Sequence, residues 1–264
     1  MSTIRVALAG AAGRMGQACC AAFAAADDIE LVACVDRRVV AGGAQGDAPT
    51  FELLTEALEQ TPPDVLVDFT APDAVEANIR TALAAGVDCV VGTTGLSADT
   101  LTELGALAPE GTCLFVAPNF AIGAVLLMQF CAQAARYMPD VEIIELHHNQ
   151  KKDAPSGTAL RTAELIAASR AAVGATPQPA PGAESELSGY EGARGALCEG
   201  VPVHSVRLPG LVAHQEVIFG GPGQTLTLRH DAPDRASFMP GVLLACRSVG
   251  ARSGLIIGLE NFME

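Results

Sequence analysis

The sequence predicts an α/β chain in two parts, and three observations carry the prediction. Short apolar strand patterns alternate with helical ones over roughly the first 120 residues, which signals a parallel sheet covered on both faces. A glycine-spaced turn joins the first strand to the first helix. Past Asn119 a long helix leads into strands that lie close enough in sequence to form antiparallel hairpins. At 264 residues and 27.0 kDa, with half its residues hydrophobic, the chain is long enough to bury a substantial core.

The first strand pattern, Ile4 to Ala9, runs into Gly10-Ala11-Ala12-Gly13-Arg14-Met15-Gly16 and an alanine-rich helix to about Ala26. A second strand, Ile29 to Val35, ends at Asp36. Further strands are predicted at 65–69, 87–91 and 113–116, with helices around 74–84 and 99–107. A helix over 122–137 leads to the strand 141–146, a polar loop and a helix over 156–171. Residues 174–200, rich in Gly, Pro, Ala and Ser, read as a long exposed loop or lid. Strands follow at 203–208, 215–219 and 224–229, and a helix over 237–249 closes the chain. These elements divide into residues 1–121, with 231–264 packing back on them, and residues 122–230.

Gly10, Gly13 and Gly16 allow a tight turn and close approach of backbone to a pyrophosphate. The helix start adds free N–H groups and a positive dipole. With Asp36 at the end of the second strand as acceptor for an adenosine ribose, the first part reads as a Rossmann-type dinucleotide-binding domain. Asp36 favours a free 2′-hydroxyl, whereas Arg37 and Arg38 suit a 2′-phosphate, so NADPH, NADH or both stay open. Gly92-Thr93-Thr94-Gly95 and Ala117-Pro118-Asn119-Phe120 fall at later strand ends, where small residues and free amides would meet the nicotinamide.

The net charge of -14 argues against a nucleic-acid partner, which requires dense Lys/Arg surface. Neither a signal peptide nor an apolar run near 20 residues is expected. The eight scattered cysteines, with no C-x-x-C pair, suggest reduced thiols of a cytoplasmic protein and no metal site.

The only two lysines, Lys151 and Lys152, share a dozen residues with His147 and His148. Such pooling of groups that exchange protons near neutrality points to a reactive site. Asp153-Ala154-Pro155-Ser156-Gly157-Thr158 then opens a helix, with Ser156 as N-cap and the Gly157 and Thr158 amides turned outward as an anion site. With His148 and Lys151 beside it, this loop suits a carboxylate.

The run His147-His148-x-x-Lys151-x-Asp153-Ala154-Pro155-Ser156-Gly157-Thr158-Ala159 resembles the signature of the 4-hydroxy-tetrahydrodipicolinate (dihydrodipicolinate) reductases. Gly10 to Gly16, Asp68-Phe69-Thr70, Gly92 to Gly95, Asn119-Phe120 and His204 to Gly210 stand in that family's order, so the resemblance spans essentially the whole chain. It implies an α/β fold in which a Rossmann-type domain is joined to an α+β domain with a mixed or antiparallel sheet. The implied reaction is reduction of a cyclic imine dicarboxylate by NADPH or NADH in lysine and diaminopimelate biosynthesis. A cytoplasmic homotetramer built through the second sheet is implied as well. By the same resemblance His147 is the acid/base residue and Lys151 the proton donor, with His148, Gly157 and Thr158 binding substrate. Cofactor contacts fall on Gly10, Ala11, Ala12, Gly13, Arg14, Met15, Asp36, Arg37, Gly92, Thr93, Thr94, Ala117, Pro118, Asn119 and Phe120.

Overall fold

The computed structural model describes residues 3–38, 43–45, 47–177 and 193–263. Two compact units emerge, Met1–Ile122 with Arg235–Glu264, and Gly123–Asp234. The first alternates β1 (Ile4–Ala9), α1 (Arg14–Ala24), β2 (Ile29–Val35), β3 (Ala44–Gln45), β4 (Ala48–Phe51), α2 (Leu54–Gln60), β5 (Val65–Asp68), α3 (Val75–Ala84), β6 (Asp88–Val91), α4 (Ala98–Ala106) and β7 (Cys113–Val116). The second contains α5 (Ile122–Ala134), β8 (Asp140–His147), α6 (Gly157–Val173), β9 (Ala196–Cys198), β10 (Val201–Arg207), β11 (Ala213–Gly221) and β12 (Gln224–Ala232). The chain then returns to the first unit with α7 (Met239–Val249) and β13 (Gly254–Ile257).

The first sheet has the order β13-β7-β6-β5-β1-β2-β4-β3, parallel throughout except for the β3–β4 pair. Strands of a parallel sheet are buried on both faces and read as unbroken apolar runs. Val6 to Ala9, Val65 to Val67 and Cys89 to Val91 accordingly show almost no exposure. This architecture gathers the carboxyl ends of the parallel strands on one edge, where β1, β5, β6 and β7 hand over to Gly10, Phe69, Gly92 and Ala117. Arg247 on α7 forks onto Asp28 at 2.7 and 2.8 Å, tying the returning helix to the turn before β2.

The second sheet has the order β12-β11-β8-β10-β9. β8 alternates buried and half-buried residues, with Val141, Ile143 and Glu145 on the inward phase. Val203, Val217 and Phe219 meet Val141 and Ile143, together with Ala159, Ala163 and Ile166 of α6. A single apolar core thus holds α6 against the sheet and fixes the loop between β8 and α6 at both ends.

Three expectations need correction. The strand near 203–208 does not pair with its successor: β10 runs parallel to β8, and β8 lies between β10 and β11, so the sequential hairpins among the described strands of this sheet are β9–β10 and β11–β12. A parallel neighbour requires a long crossover, and α6 lies within it. The 174–200 segment is not loop throughout, since Ala196–Cys198 forms β9 on the edge of this sheet; its residues 178–192 lie outside the described residues. The chain also does not close on α7, because β13 adds in parallel to β7. The elements β3, β4 and α2 within 44–60 and the edge strand β13 were not anticipated; they are short, and an apolar run of about four residues carries no clear period.

Candidate active site

In the first unit the glycine turn follows β1 as expected. Gly10 has φ +83°, and a Cβ there would strike the Phe69 carbonyl, so β1 leaves the sheet against the end of β5. Gly16, inside α1, faces the Gly10 and Ala11 carbonyls with no room for a Cβ, which lets the helix start lie against the turn. Gly13 is the N-cap of α1 and offers no side-chain cap, so the first-turn amides, those of Arg14 and Met15 among them, have no intrahelical partner and suit an anion.

Asp36 is buried at the end of β2 and already filled. Its oxygens accept the Ala12 amide at 3.1 Å, the Arg38 amide at 3.0 Å and the Arg38 guanidinium at 2.9 and 2.8 Å. The Arg38 hydrogen bonds hold its carboxyl below the usual range, against the opposing effect of burial. Arg37 and Arg38 are both exposed. Arg38, rather than Arg37, is therefore the arginine in contact with the predicted ribose acceptor.

The strand-end residues form the wall of an open cleft of about 220 Å³ lined by Met15, Phe69, Thr70, Pro72, Gly92, Thr93 and Thr94. Beneath it Asp68, fully buried, accepts the Thr70 amide at 2.9 Å, the Thr70 and Thr93 hydroxyls at 2.7 Å and the Asn78 amide at 2.8 Å. One carboxylate thus fixes the ends of β5 and β6. Phe120 is 2% exposed, with its ring edge-on to Phe69 at 5.6 Å and to Phe115 at 6.0 Å; Ala117 is equally enclosed. Phe120 thus packs behind Phe69 of the wall, and neither it nor Ala117 is among the residues that line the cleft. Pro118 is exposed, and Asn119 Oδ1 accepts the Ala121 amide at 2.9 Å.

In the second unit His147 ends β8 and is half-buried. The chain then turns tightly, the Lys151 amide donating to the His148 carbonyl at 3.1 Å. Lys151 Nζ lies 2.9 and 2.8 Å from the two Asp153 oxygens and holds that carboxyl below its ordinary range. Lys152 is exposed. Ser156 caps α6, its hydroxyl accepting the Ala159 amide at 3.2 Å. Gly157 is exposed with open space where a Cβ would stand, and Thr158 is half-buried beside it. The β8–α6 segment thus brings together His147, His148, Lys151 and an open helix start.

Two residues that the sequence reading did not single out stand behind this loop. Glu145 has no exposed surface, and its Oε2 lies 2.5 Å from His147 Nδ1. Arg207 donates to Glu145 Oε2 at 2.8 Å and to Oε1 at 2.7 Å, and also to the Asp153 carbonyl at 2.8 Å. The Ser156 amide reaches Oε1 at 3.3 Å. Burial pushes the Glu145 carboxyl up, but hydrogen bonds from His147, Arg207 and Ser205 outweigh it and hold the group at about 2. One sequence signal for Glu145 exists: it continues the inward phase of Val141 and Ile143, where a carboxylate is out of place unless paired. Arg207 follows the same inward phase from Val203 on β10.

A parallel doubly wound sheet with an uncapped glycine turn, next in the chain to a mixed-sheet unit bearing proton-exchanging groups, defines the class of two-domain, dinucleotide-dependent oxidoreductases. The comparisons narrow this class. Residues 4–120 match the family described as dihydrodipicolinate reductase, N-terminus, and residues 123–263 match dihydrodipicolinate reductase, C-terminus. The 4-hydroxy-tetrahydrodipicolinate reductase of Nocardia farcinica is 53% identical over 99% of both chains, and that of Geobacillus kaustophilus is 49% identical over 99% of this chain and all of the other. The dipicolinate-bound dihydrodipicolinate reductase of Paenisporosarcina sp. TG-14 superposes with a TM-score of 0.86 at 44% identity, covering 98% of this chain and 99% of that one. An amine dehydrogenase of Mycobacterium smegmatis, 16% identical with a TM-score of 0.66, shares the fold alone. The chain belongs to the dihydrodipicolinate reductase family. Among the described residues no helix is long and apolar enough to cross a membrane, and no group of three or more His, Cys, Asp or Glu is placed to hold a metal.

Proposed function

We propose that the chain converts 4-hydroxy-tetrahydrodipicolinate to tetrahydrodipicolinate, the 4-hydroxyl leaving as water and the resulting conjugated imine taking up a hydride from NADPH or NADH and one proton, a step toward diaminopimelate and lysine. The observation that carries this reading is the segment between β8 and α6, where two proton-bearing side chains, His147 and Lys151, share one anchored loop with a helix start open to an anion. The reduced dinucleotide supplies the hydride. Residues 1–121 with 231–264 form the dinucleotide-binding domain, and 122–230 the substrate-binding and oligomerisation domain. The turn from Gly10 to Met15, with Asp36 and Arg37, holds the dinucleotide. Gly92 to Thr94 and Ala117 to Phe120 line the nicotinamide end.

His148, Gly157 and Thr158 bind the dicarboxylate, which fixes the ring and removes much of the entropic barrier. His147 acts as the acid/base residue and Lys151 as proton donor, quenching the charge that hydride addition builds on the imine; such general acids contribute ~10²–10⁴-fold. Asp153 holds the Lys151 side chain in place until substrate arrives. The enzyme works in the cytoplasm as a homotetramer built through the second sheet. That sheet's outward phase supports the assembly, since Ile144, Leu146, Val206 and Ile218 are left only half-buried.

The test is NADPH or NADH oxidation on adding substrate freshly made from aspartate semialdehyde and pyruvate. Absence of turnover with both cofactors, in folded protein that binds nucleotide, overturns the reading. Lys151→Ala should lower kcat by ~10²–10⁴-fold with NAD(P)H affinity unchanged. Undiminished turnover removes Lys151 from the chemistry.

A further inference from the structure

The carboxylate beneath the loop does more than fill space. We infer that Glu145, clamped by Arg207, is the positioning residue that holds the His147 proton on Nδ1 and leaves Nε2 as the nitrogen that exchanges protons with substrate. The inference rests on the proposed reductase reading, in which His147 is the acid/base group.

An ionised carboxylate only accepts hydrogen bonds. Arg207 gives one N–H to each Glu145 oxygen, the Ser156 amide gives another, and no surface of the residue reaches solvent. The group stays ionised in this setting, held at about 2. His147 Nδ1, 2.5 Å from Oε2, is therefore the donor in that contact. The neutral ring then carries its lone pair on Nε2, and the charged ring carries there the proton it can deliver. Fixing a tautomer through the other ring nitrogen is how a buried acid prepares a histidine for catalysis.

Arg207 extends the arrangement to the second proton-bearing group. Its guanidinium also binds the Asp153 carbonyl at 2.8 Å, and the Asp153 side chain binds Lys151. One ion pair, with its carboxylate fully buried, thus supports both His147 and the Lys151 loop. It joins β8 to β10 across 62 residues of sequence.

The first test needs no variant. ¹⁵N NMR of histidine-labelled wild-type protein, at a pH where His147 is neutral, should show the Nδ1–H tautomer; the Nε2–H tautomer would overturn the inference. Glu145→Gln keeps the shape but lets the amide donate to Nδ1. It should convert His147 to Nε2–H and lower kcat by ~10²-fold or more, with nucleotide affinity unchanged; an acid-to-amide change at the equivalent place in a serine protease lowers kcat ~10⁴-fold. Glu145→Asp keeps an accepting carboxylate on a shorter stem and should be the more active of the two. A merely structural role reverses that order, because glutamine is the better isostere. Wild-type kcat in Glu145→Gln, or glutamine outperforming aspartate, overturns the proposal. If Glu145→Gln does not fold, the wild-type tautomer decides alone. If wild-type protein fails to turn over the substrate, the reductase reading fails instead, and the tautomer measurement still stands.

Discussion

The glycine turn after β1 and the polar loop after β8 share one plan and differ in how far their ion pairs are exposed. Each leaves a strand, enters a helix and lies over a buried carboxylate that binds a backbone amide of the segment: Asp36 with Ala12, Glu145 with Ser156. Each carboxylate is forked by an arginine. Arg38 is two residues from Asp36, and 61% of its side chain is exposed; Arg207 is 62 residues from Glu145 and only 19% exposed. An exposed arginine can leave its partner for water or a ligand at little cost. A mostly enclosed one has little water to turn to, whereas Asp36 keeps the Ala12 and Arg38 backbone amides when the guanidinium leaves. The first pair is built to be exchanged on binding, the second to stay.

The largest effect expected from this contrast is on folding. Glu145→Ala removes the acceptor of Arg207 and of His147 Nδ1 and should cost about 3–5 kcal/mol, the usual result of breaking a buried pair from one side, read as a fall in the urea midpoint. The same carboxyl predicts a pH signature. Its folded value of about 2 lies below the ordinary 4.5, so its contribution is fully present above about 4.5 and is lost as pH falls toward 2. Wild-type protein should lose stability more steeply than Glu145→Ala across that window. Parallel profiles would mean that the pair is not coupled to folding.

The same contrast explains what the sequence reveals. The glycine turn is local: strand, glycines and helix are contiguous, and Asp36 falls at the next strand's end, so the whole arrangement shows as spacing. His147, Lys151 and Ser156 are legible for the same reason. Glu145 and Arg207 show only as polar residues on an inward strand phase, and their pairing does not show, because it comes from β10 lying parallel beside β8 and a strand pattern does not reveal its neighbour. For the same reason the spacing of β10 and β11 suggests a hairpin that the sheet does not contain. Arg38 illustrates a third case, since its position was visible but its choice of Asp36 over solvent is a matter of side-chain geometry.

The next effect is steric and confined to the first unit. Gly16→Ala would drive a Cβ into the Gly10 and Ala11 carbonyls, and overpacking of this kind costs about 1–3 kcal/mol. At Gly13 the nearest atoms to a Cβ are the Gly10 carbonyl oxygen at 3.1 Å and the Arg38 guanidinium at 3.6 Å, so Gly13→Ala should be milder in thermal melts. It still adds a methyl where a pyrophosphate would approach, and its cost should appear in nucleotide affinity. Equal melting temperatures for the two variants would show that Gly16 is not the point of close helix approach.

The smallest stability change is expected at Arg38. Its pair with Asp36 is mostly exposed on the arginine side, so Arg38→Ala should leave the thermal melt nearly unchanged. Its effect on cofactor use should be larger. If the guanidinium transfers from Asp36 to a 2′-phosphate, its loss removes a charge-assisted pair, and kcat/KM for NADPH should fall about 10-fold or more. NADH has no phosphate for Arg38 to meet, and the variant frees Asp36 for the ribose hydroxyl, so kcat/KM for NADH should hold or rise. Equal losses with both cofactors would make Arg38 a support for the Asp36 carboxylate and would end the contrast between an exchangeable pair and a permanent one.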